Sequence, residues 1–216
     1  MEESTSREKV LKKIRDAIIS KTDPPYPKAD PDKPLYNEMS EPADITFAQE
    51  LTTAGGNFIY CSHELEFLQK LKMLITEEGL GEIYANEPVL IEFLEAGKIP
   101  YVTGEEAFKT VKSGLTTCEF LVARTGSIMV SSALGSGRRL MIFPEIHMVV
   151  AFTSQLAPEL KDALGWIKKK YEDGMPSLVS LITGPSRTAD IEKTLVMGAH
   201  GPKGLYVFLI EDRDQI

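Results

Sequence analysis

The sequence predicts an α/β domain with a mainly parallel, mixed sheet flanked by helices. Strand-like and helix-like segments alternate from about Thr46 onward, which is the order that right-handed βαβ crossovers require. Several strand-like segments are continuously apolar, as expected for parallel strands covered on both faces. Because no helix separates the apolar segments 118–123 and 127–131, part of the sheet is expected to be antiparallel.

The chain is expected to have three parts, with boundaries at residues 1–20, 21–45 and 46–216. Residues 1–20 are predicted to form a helix, because their apolar side chains recur at three-to-four spacing and form one stripe. Residues 21–42 contain six of the chain's 13 prolines, which prevent regular structure from continuing and indicate a linker or a docked surface strap. Residues 46–216 are predicted to be the α/β domain.

The first half of this domain is predicted as alternating short strands and helices. A strand at 57–62 precedes a helix at 63–78. Strands at 82–85 and 100–102 enclose a helix at 87–95, and a short helix follows at 105–111. The long helix is expected to bury an apolar face made by Leu65, Leu68, Leu71, Met73 and Leu74.

The second half begins with apolar, β-branched strands at 118–123, 127–131 and 140–152. A helix is predicted at 158–171, a buried strand at 177–183, a helix at 188–197 and a closing strand at 205–210. His147 and Cys118 lie inside apolar strands, so both are predicted to be buried, inert core residues. Cys61, at a strand end, is a weak candidate for a nucleophile.

Composition excludes several function classes. With 24 basic and 32 acidic side chains, the formal net charge is −8, so the chain lacks the basic face that a nucleic-acid binder needs. Two cysteines and three histidines without ligand spacing predict no disulfide framework, no metal site and no resident cofactor. No segment reaches the roughly 20 apolar residues of a membrane span, and no signal peptide is recognised. A cytoplasmic protein is therefore expected.

The first candidate site is the segment 183–192, where a predicted strand meets a predicted helix. Gly184 would allow a ligand near the backbone, Ser186 and Thr188 would supply hydroxyls, and free N–H groups at the helix start would attract an anion. Arg187 offers a planar fork for carboxylate or phosphate. The alternative is structural: Ser186 or Thr188 caps the helix, Asp190 and Glu192 complement its dipole, and Arg187 forms an internal ion pair.

The second candidate site is the turn around His200. Glycines and a proline hold this imidazole on a rigid loop, where it is suited to general acid/base catalysis or to a ligand contact. Alternatively it binds a carbonyl group and stabilises the turn. A third loop, 131–139, combines Ser and Gly with two arginines that suit an oxyanion, but it lacks a P-loop ending.

The motifs 184–192 (GPSRTADIE) and 198–202 (GAHGP), with 124–128 (RTGSI) and 143–147 (FPEIH), resemble the LUD domain of lactate-utilisation proteins, specifically the short C component. The resemblance implies a fold like that of ribose-5-phosphate isomerase and CoA-transferases. It also implies a role beside iron–sulfur partner proteins in oxidising L-lactate to pyruvate. One departure is Arg124, which stands where the family commonly has an acidic residue.

Three functions are compatible with these features. The first is a non-redox component of lactate oxidation that binds a small anionic ligand through Gly126, Ser127, Gly184, Ser186, Arg187, Thr188, His200 and Gly201. The second is a stand-alone sugar-phosphate isomerase or folate cyclo-ligase-like enzyme, with His200 and Asp190 as candidate catalytic groups. The third is an assembly module without a ligand. These three functions differ in whether the isolated chain is an enzyme, and the sequence does not decide between them.

Overall fold

The computed structural model describes residues 5–19, 36–191, 194–197 and 200–212, and the chain divides into two compact units, Met1–Glu38 and Met39–Ile216. The first unit contains helix α1 (Ser6–Ile19), in which no described residue is buried. This confirms the helix predicted near the N-terminus. Of the strap predicted at 21–45, residues 21–35 lie outside the described part of the structure. Within the described residues, no helix is long and apolar enough to span a membrane.

The second unit contains five helices and twelve strands in its described parts. The helices are α2 (Ala43–Thr53), α3 (Glu64–Glu78), α4 (Pro88–Gly97), α5 (Glu105–Phe108) and α6 (Leu160–Lys170). The strands are β1 (Asn57–Cys61), β2 (Ile83–Tyr84), β3 (Tyr101–Val102), β4 (Ser113–Thr117), β5 (Phe120–Val122), β6 (Ser127–Ser131), β7 (Ile146–Phe152), β8 (Leu156–Ala157), β9 (Val179–Ile182), β10 (Arg187–Ile191), β11 (Thr194–Met197) and β12 (Gly204–Ile210).

Six strands form a fully parallel sheet in the order β1-β12-β7-β4-β2-β3. From β2 the chain crosses outward to β3, and from β4 it crosses the other way to β7 and β12. The direction of the crossovers therefore changes between β2 and β4. Ligands of open α/β sheets bind at the carboxyl ends of the strands at such a reversal.

A second sheet, in the order β8-β5-β6-β9, contains the expected antiparallel pair β5–β6 and a further antiparallel pair, β6–β9. One core lies between the parallel sheet and helices α3 and α4. A second core joins the other face of that sheet to α2 and the four-stranded sheet, and a third lies between the four-stranded sheet and α6. Successive side chains of a strand point to opposite faces of the sheet, so neighbouring residues of β5 enter different cores: Leu121 lies in the second core and Val122 in the third.

Several predicted elements differ from the structure. The helix predicted at 188–197 is wrong: β10 and β11 pair as an antiparallel hairpin, with Thr188 opposite Val196. The β-branched residues of this segment suit a strand, and pairing overrides its helix-like apolar spacing.

Three further predictions are also wrong. Leu65 and Met73 of α3 are 68% and 60% exposed, because the buried stripe runs instead through Phe67, Leu68, Leu71 and Leu74. The strand predicted at 140–152 starts only at Ile146, after a turn that contains Pro144. Strand β9, predicted as buried, is a half-exposed edge strand.

Candidate functional site

Two of the residues predicted to bind a ligand, Ser186 and Gly201, meet at the turn that precedes β12. The Ser186 N–H donates to the Pro202 carbonyl oxygen over 2.8 Å. A Cβ placed on Gly201 would lie 2.9 Å from the Ser186 Cβ. The two sequence motifs therefore meet, but they meet at the amino end of β12, opposite the edge where ligands of open α/β sheets bind.

The glycines of this group lie at close backbone contacts with α2 and its end. Gly126 has φ +58°, and a Cβ there would lie 2.2 Å from the Leu51 N. Gly184 has φ +80°, and its Cβ would lie 2.3 Å from the Ala54 carbonyl oxygen. Both glycines thus let the chain pack directly against α2. The Ser127 hydroxyl is 2.7 Å from the Thr183 Oγ1, on the adjacent strand end.

Both arginines of these motifs have structural partners. The Arg187 Nη2 donates to the Ala54 carbonyl oxygen at the C-terminal end of α2 over 2.5 Å. That position complements the negative end of the helix dipole. Arg124 forms an ion pair with Glu159 at 3.0 Å, so its charge neutralises the residue that precedes α6.

The remaining predicted site residues are not brought together by described contacts. His200 is exposed on its turn. Thr188 and Asp190 lie in β10, and their side chains lie outside the described part of the structure. Because no helix starts at 188, the anion-binding helix terminus predicted there does not form. The ligand roles of all these residues stay predictions.

A different polar group occupies the reversal point between β2 and β4. Glu87 follows β2 and is only 5% exposed. One oxygen of its carboxylate accepts the Thr117 N–H over 3.0 Å, and the other accepts the Thr117 hydroxyl. A carboxylate is thereby held at the carboxyl ends of both strands where the crossover direction changes.

A second buried carboxylate, Glu119, lies just beyond β4 and is 1% exposed. It accepts hydrogen bonds from the Lys170 Nζ at 2.7 Å, from the Tyr171 hydroxyl at 2.8 Å and from the Ser131 hydroxyl. These donors supply the polar partners that a buried carboxylate requires. Glu119 therefore ties the end of α6 to the same edge of the parallel sheet.

The Ser/Gly loop 131–139 covers this edge. The Asn86 Nδ2 donates to the Gly135 carbonyl oxygen over 3.0 Å. A Cβ on Gly135 would lie 3.1 Å from the Glu87 Cγ, so the loop backbone packs against the methylene next to the Glu87 carboxylate. On the outer side of the loop, the Arg138 Nη2 donates to the Ser177 hydroxyl over 2.6 Å.

The thiols and His147 are core groups, as predicted for Cys118 and His147. Burial raises the pKa of Cys118 above its usual range and the pKa of Cys61 to about 11. The weak nucleophile assignment for Cys61 therefore has no support, because the reactive species is the thiolate. His147 is fully buried, and its Nε2 lies 2.9 Å from the Thr116 Oγ1.

Sequence reasoning missed Glu87 and Glu119. The available signal was an acidic residue directly after, or inside, an apolar segment, which is rarely buried unless it is paired. Their partners Thr117 and Ser131 lie 30 and 12 residues away along the chain, so no local motif connects them.

Comparison with known proteins gives the family. The sequence model of the LUD domain matches residues 46–210. The chain belongs to the LUD domain family. The recognition made from the motifs is thereby confirmed, and the match covers nearly all of the second compact unit.

Relatives in this family carry a common name. Lactate utilization protein C of Bacillus velezensis is 32% identical over 75% of this chain and 71% of its own length. The protein of the same name from Anoxybacillus flavithermus is 32% identical over 78% and 70%. An uncharacterised protein of Neisseria meningitidis is 39% identical over 49% of this chain, but the chain spans only 45% of the length of that protein.

A solved structure confirms the fold class. The crystal structure of a DUF162 family protein from Deinococcus radiodurans aligns with a TM-score of 0.59 at 18% identity. The alignment covers 78% of this chain and 96% of the other. At this identity the likeness concerns the fold alone.

Proposed function

We propose that this protein is a component of a bacterial lactate-utilization system that binds a small anionic ligand and acts with iron–sulfur partner proteins. The observation that carries the proposal is the similarity to proteins named Lactate utilization protein C over three-quarters of the chain. Family membership over residues 46–210 supports the same process.

The need for partners is argued from the chemistry of the chain. Oxidising a hydroxy acid requires an electron acceptor, and iron–sulfur clusters normally take four cysteine ligands. This chain has two cysteines, Cys61 and Cys118, and both are buried. A cluster that accepts electrons is therefore expected on another protein of the system.

Gene deletion tests the proposed process. Deleting the gene in the organism that encodes it should abolish growth on L-lactate as sole carbon source and leave growth on pyruvate intact. The intact gene should restore growth. As a control, a copy encoding Gly126→Leu, which should prevent α2 from packing, should fail to restore it. Unchanged growth of the deletion strain on L-lactate would contradict the proposal.

The partner component has its own test. Affinity purification of the tagged full chain from lactate-grown cells should recover proteins that contain iron–sulfur clusters, identified by mass spectrometry and iron content. The same purification from pyruvate-grown cells is the control. Recovery of this chain alone under both conditions would argue for an independent enzyme.

A further inference from the structure

We propose that the crevice between the carboxyl ends of β2 and β4 is the ligand site, that loop 131–139 is its cover, and that its ligand is a small carboxylate bearing a neighbouring hydroxyl. The inference rests on the proposed function, because it specifies where and how the small anionic ligand binds. It moves that ligand away from the amino-edge residues that the sequence motifs suggested.

The position of the crevice is the first argument. Crossovers leave β2 and β4 in opposite directions, so their connecting segments diverge at the carboxyl ends, the position where open α/β sheets bind ligands. Polar groups from three separate segments converge there: Asn86 and Glu87 after β2, Thr117 at the end of β4, and loop 131–139.

The chemistry of Glu87 is the second argument. A carboxylate has about four lone-pair positions, and Glu87 uses one on each oxygen for Thr117. The lone-pair positions that remain on Glu87 can accept a hydrogen bond from a ligand hydroxyl. A ligand that brings such a group would displace the Gly135 backbone that now packs against the Glu87 side chain.

The chemistry of the cover is the third argument. Arg138 forms no ion pair within the described residues and donates to the neutral Ser177 hydroxyl. Its neighbour Arg139, in contrast, pairs with Glu105 and stacks on the Phe108 ring at 4.8 Å. Three residues span at most about 11 Å, so Arg138 can reach an anionic group held over Glu87 beside Gly135.

The proposed movement is confined to the middle of the loop. The two ends are fixed, since Ser132 exchanges hydrogen bonds with Leu178 and Arg139 pairs with Glu105. Between them lie Gly135 and Gly137, and at Gly137, with φ +63°, a Cβ would meet no atom within 4 Å. This middle part is held by the packing of Leu134 against the second core and by hydrogen bonds from Asn86 and Arg138. Ligand entry requires the Asn86–Gly135 contact to break, after which Arg138 closes on the ligand carboxylate.

Binding to the purified full chain tests this site, with L-lactate as the probe and calorimetry and amide NMR as the readouts. L-Lactate should bind and shift the amide signals of Gly135 and Gly137. Acetate, which lacks the hydroxyl, and 1,2-propanediol, which lacks the charge, should each bind at least about tenfold more weakly.

Variants locate the binding. Glu87→Gln leaves one oxygen to accept the Thr117 N–H and replaces the other with an amide nitrogen that cannot accept a hydrogen bond, and Arg138→Ala removes the fork. Each change should weaken L-lactate binding about tenfold or more. Arg139→Ala is the matched control on the same loop and should change the affinity less than twofold. If Glu87→Gln does not fold, the L-lactate affinities of Arg138→Ala and Arg139→Ala are compared, and a loss only in Arg138→Ala supports the site.

The outcomes separate this site from the proposed function. If L-lactate binds the wild-type chain and both variants equally, the crevice is not the site, while the growth phenotype still supports lactate utilization. If the wild-type chain binds L-lactate no better than acetate or not at all, the ligand chemistry proposed here is overturned. Unchanged growth of the deletion strain on L-lactate would overturn the proposed function, whatever the two binding results are.

Discussion

His147 is an imidazole in the core between the two sheets. It is fully buried on β7, on the same side as Val149 and Ala151, which pack in the second core. Burial lowers its pKa from 6.5 to about 4. The side chain is therefore neutral in the folded protein at neutral pH.

The buried imidazole makes stability depend on pH. Between pH 6.5 and about 4 the unfolded chain binds a proton at this position that the folded chain does not, so the free energy of unfolding falls as pH falls. The loss is on the order of 3 kcal/mol. Urea unfolding of wild type and His147→Leu at several pH values should show this difference. His200→Gln, at an exposed histidine, should follow wild type, and parallel profiles for wild type and His147→Leu would contradict the assignment.

Gly126 and Gly137 have similar positive φ angles but different surroundings, so they form a matched pair. At Gly126 a Cβ would meet the α2 backbone at 2.2 Å, whereas at Gly137 it would meet nothing within 4 Å. Gly126→Ala should lose about 2 to 5 kcal/mol of stability, and Gly137→Ala about 1 to 2 kcal/mol. Denaturant unfolding of both variants measures this. Equal losses would mean that α2 does not pack against residue 126 as described.

The hairpin β10–β11 changes what the motif 184–192 does. As a helix, this segment would have presented free N–H groups to an anion. As a hairpin, it pairs its backbone across the strands and places Arg187 against the end of α2. The motif that identifies the family therefore works as a junction between elements in this structure.

Arg187 is expected to stabilise the C-terminal end of α2. Arg187→Ala should cost about 0.5 to 1.5 kcal/mol, a fall in Tm of a few degrees, with Arg187→Lys retaining part of the stability through its charge. L-Lactate affinity should stay within about twofold of wild type in both. Arg138→Ala should behave oppositely, losing affinity with little change in Tm. A tenfold affinity loss in Arg187→Lys would instead place the ligand at the amino edge.

At the level of the whole chain, the boundary between the two compact units lies after Glu38. Met39 packs against the second core, and Phe47 of α2 is fully buried in it. The domain therefore includes α2 from Ala43, slightly before the start predicted at residue 46. The three-part division of the chain stays a prediction.

Truncation tests this boundary. A chain beginning at Met39 should fold cooperatively with a Tm close to that of the full chain, because the removed residues belong to the other unit. A chain beginning at Ala48 loses Phe47 and half of α2, and should lose about 3 to 5 kcal/mol or fail to fold. Circular dichroism and thermal unfolding of both chains provide the measurement. A non-cooperative unfolding transition of the chain that begins at Met39 would show that residues 1–38 belong to the core.

The spacing of apolar side chains along the chain was enough to predict most of the fold class. The apolar strand segments, the helices at 64–78 and 160–170 and the burial of Cys118 follow from side-chain spacing and residue type, and the motifs identified the family. The hairpin at 187–197 did not follow, because spacing in this segment is compatible with either a helix or a strand and pairing between strands decides. The site at Glu87 required the strand order: Asn86 and Gly135 are 49 residues apart in the chain. Only the parallel sheet, with its crossover reversal, brings the Asn86 side chain to the Gly135 carbonyl.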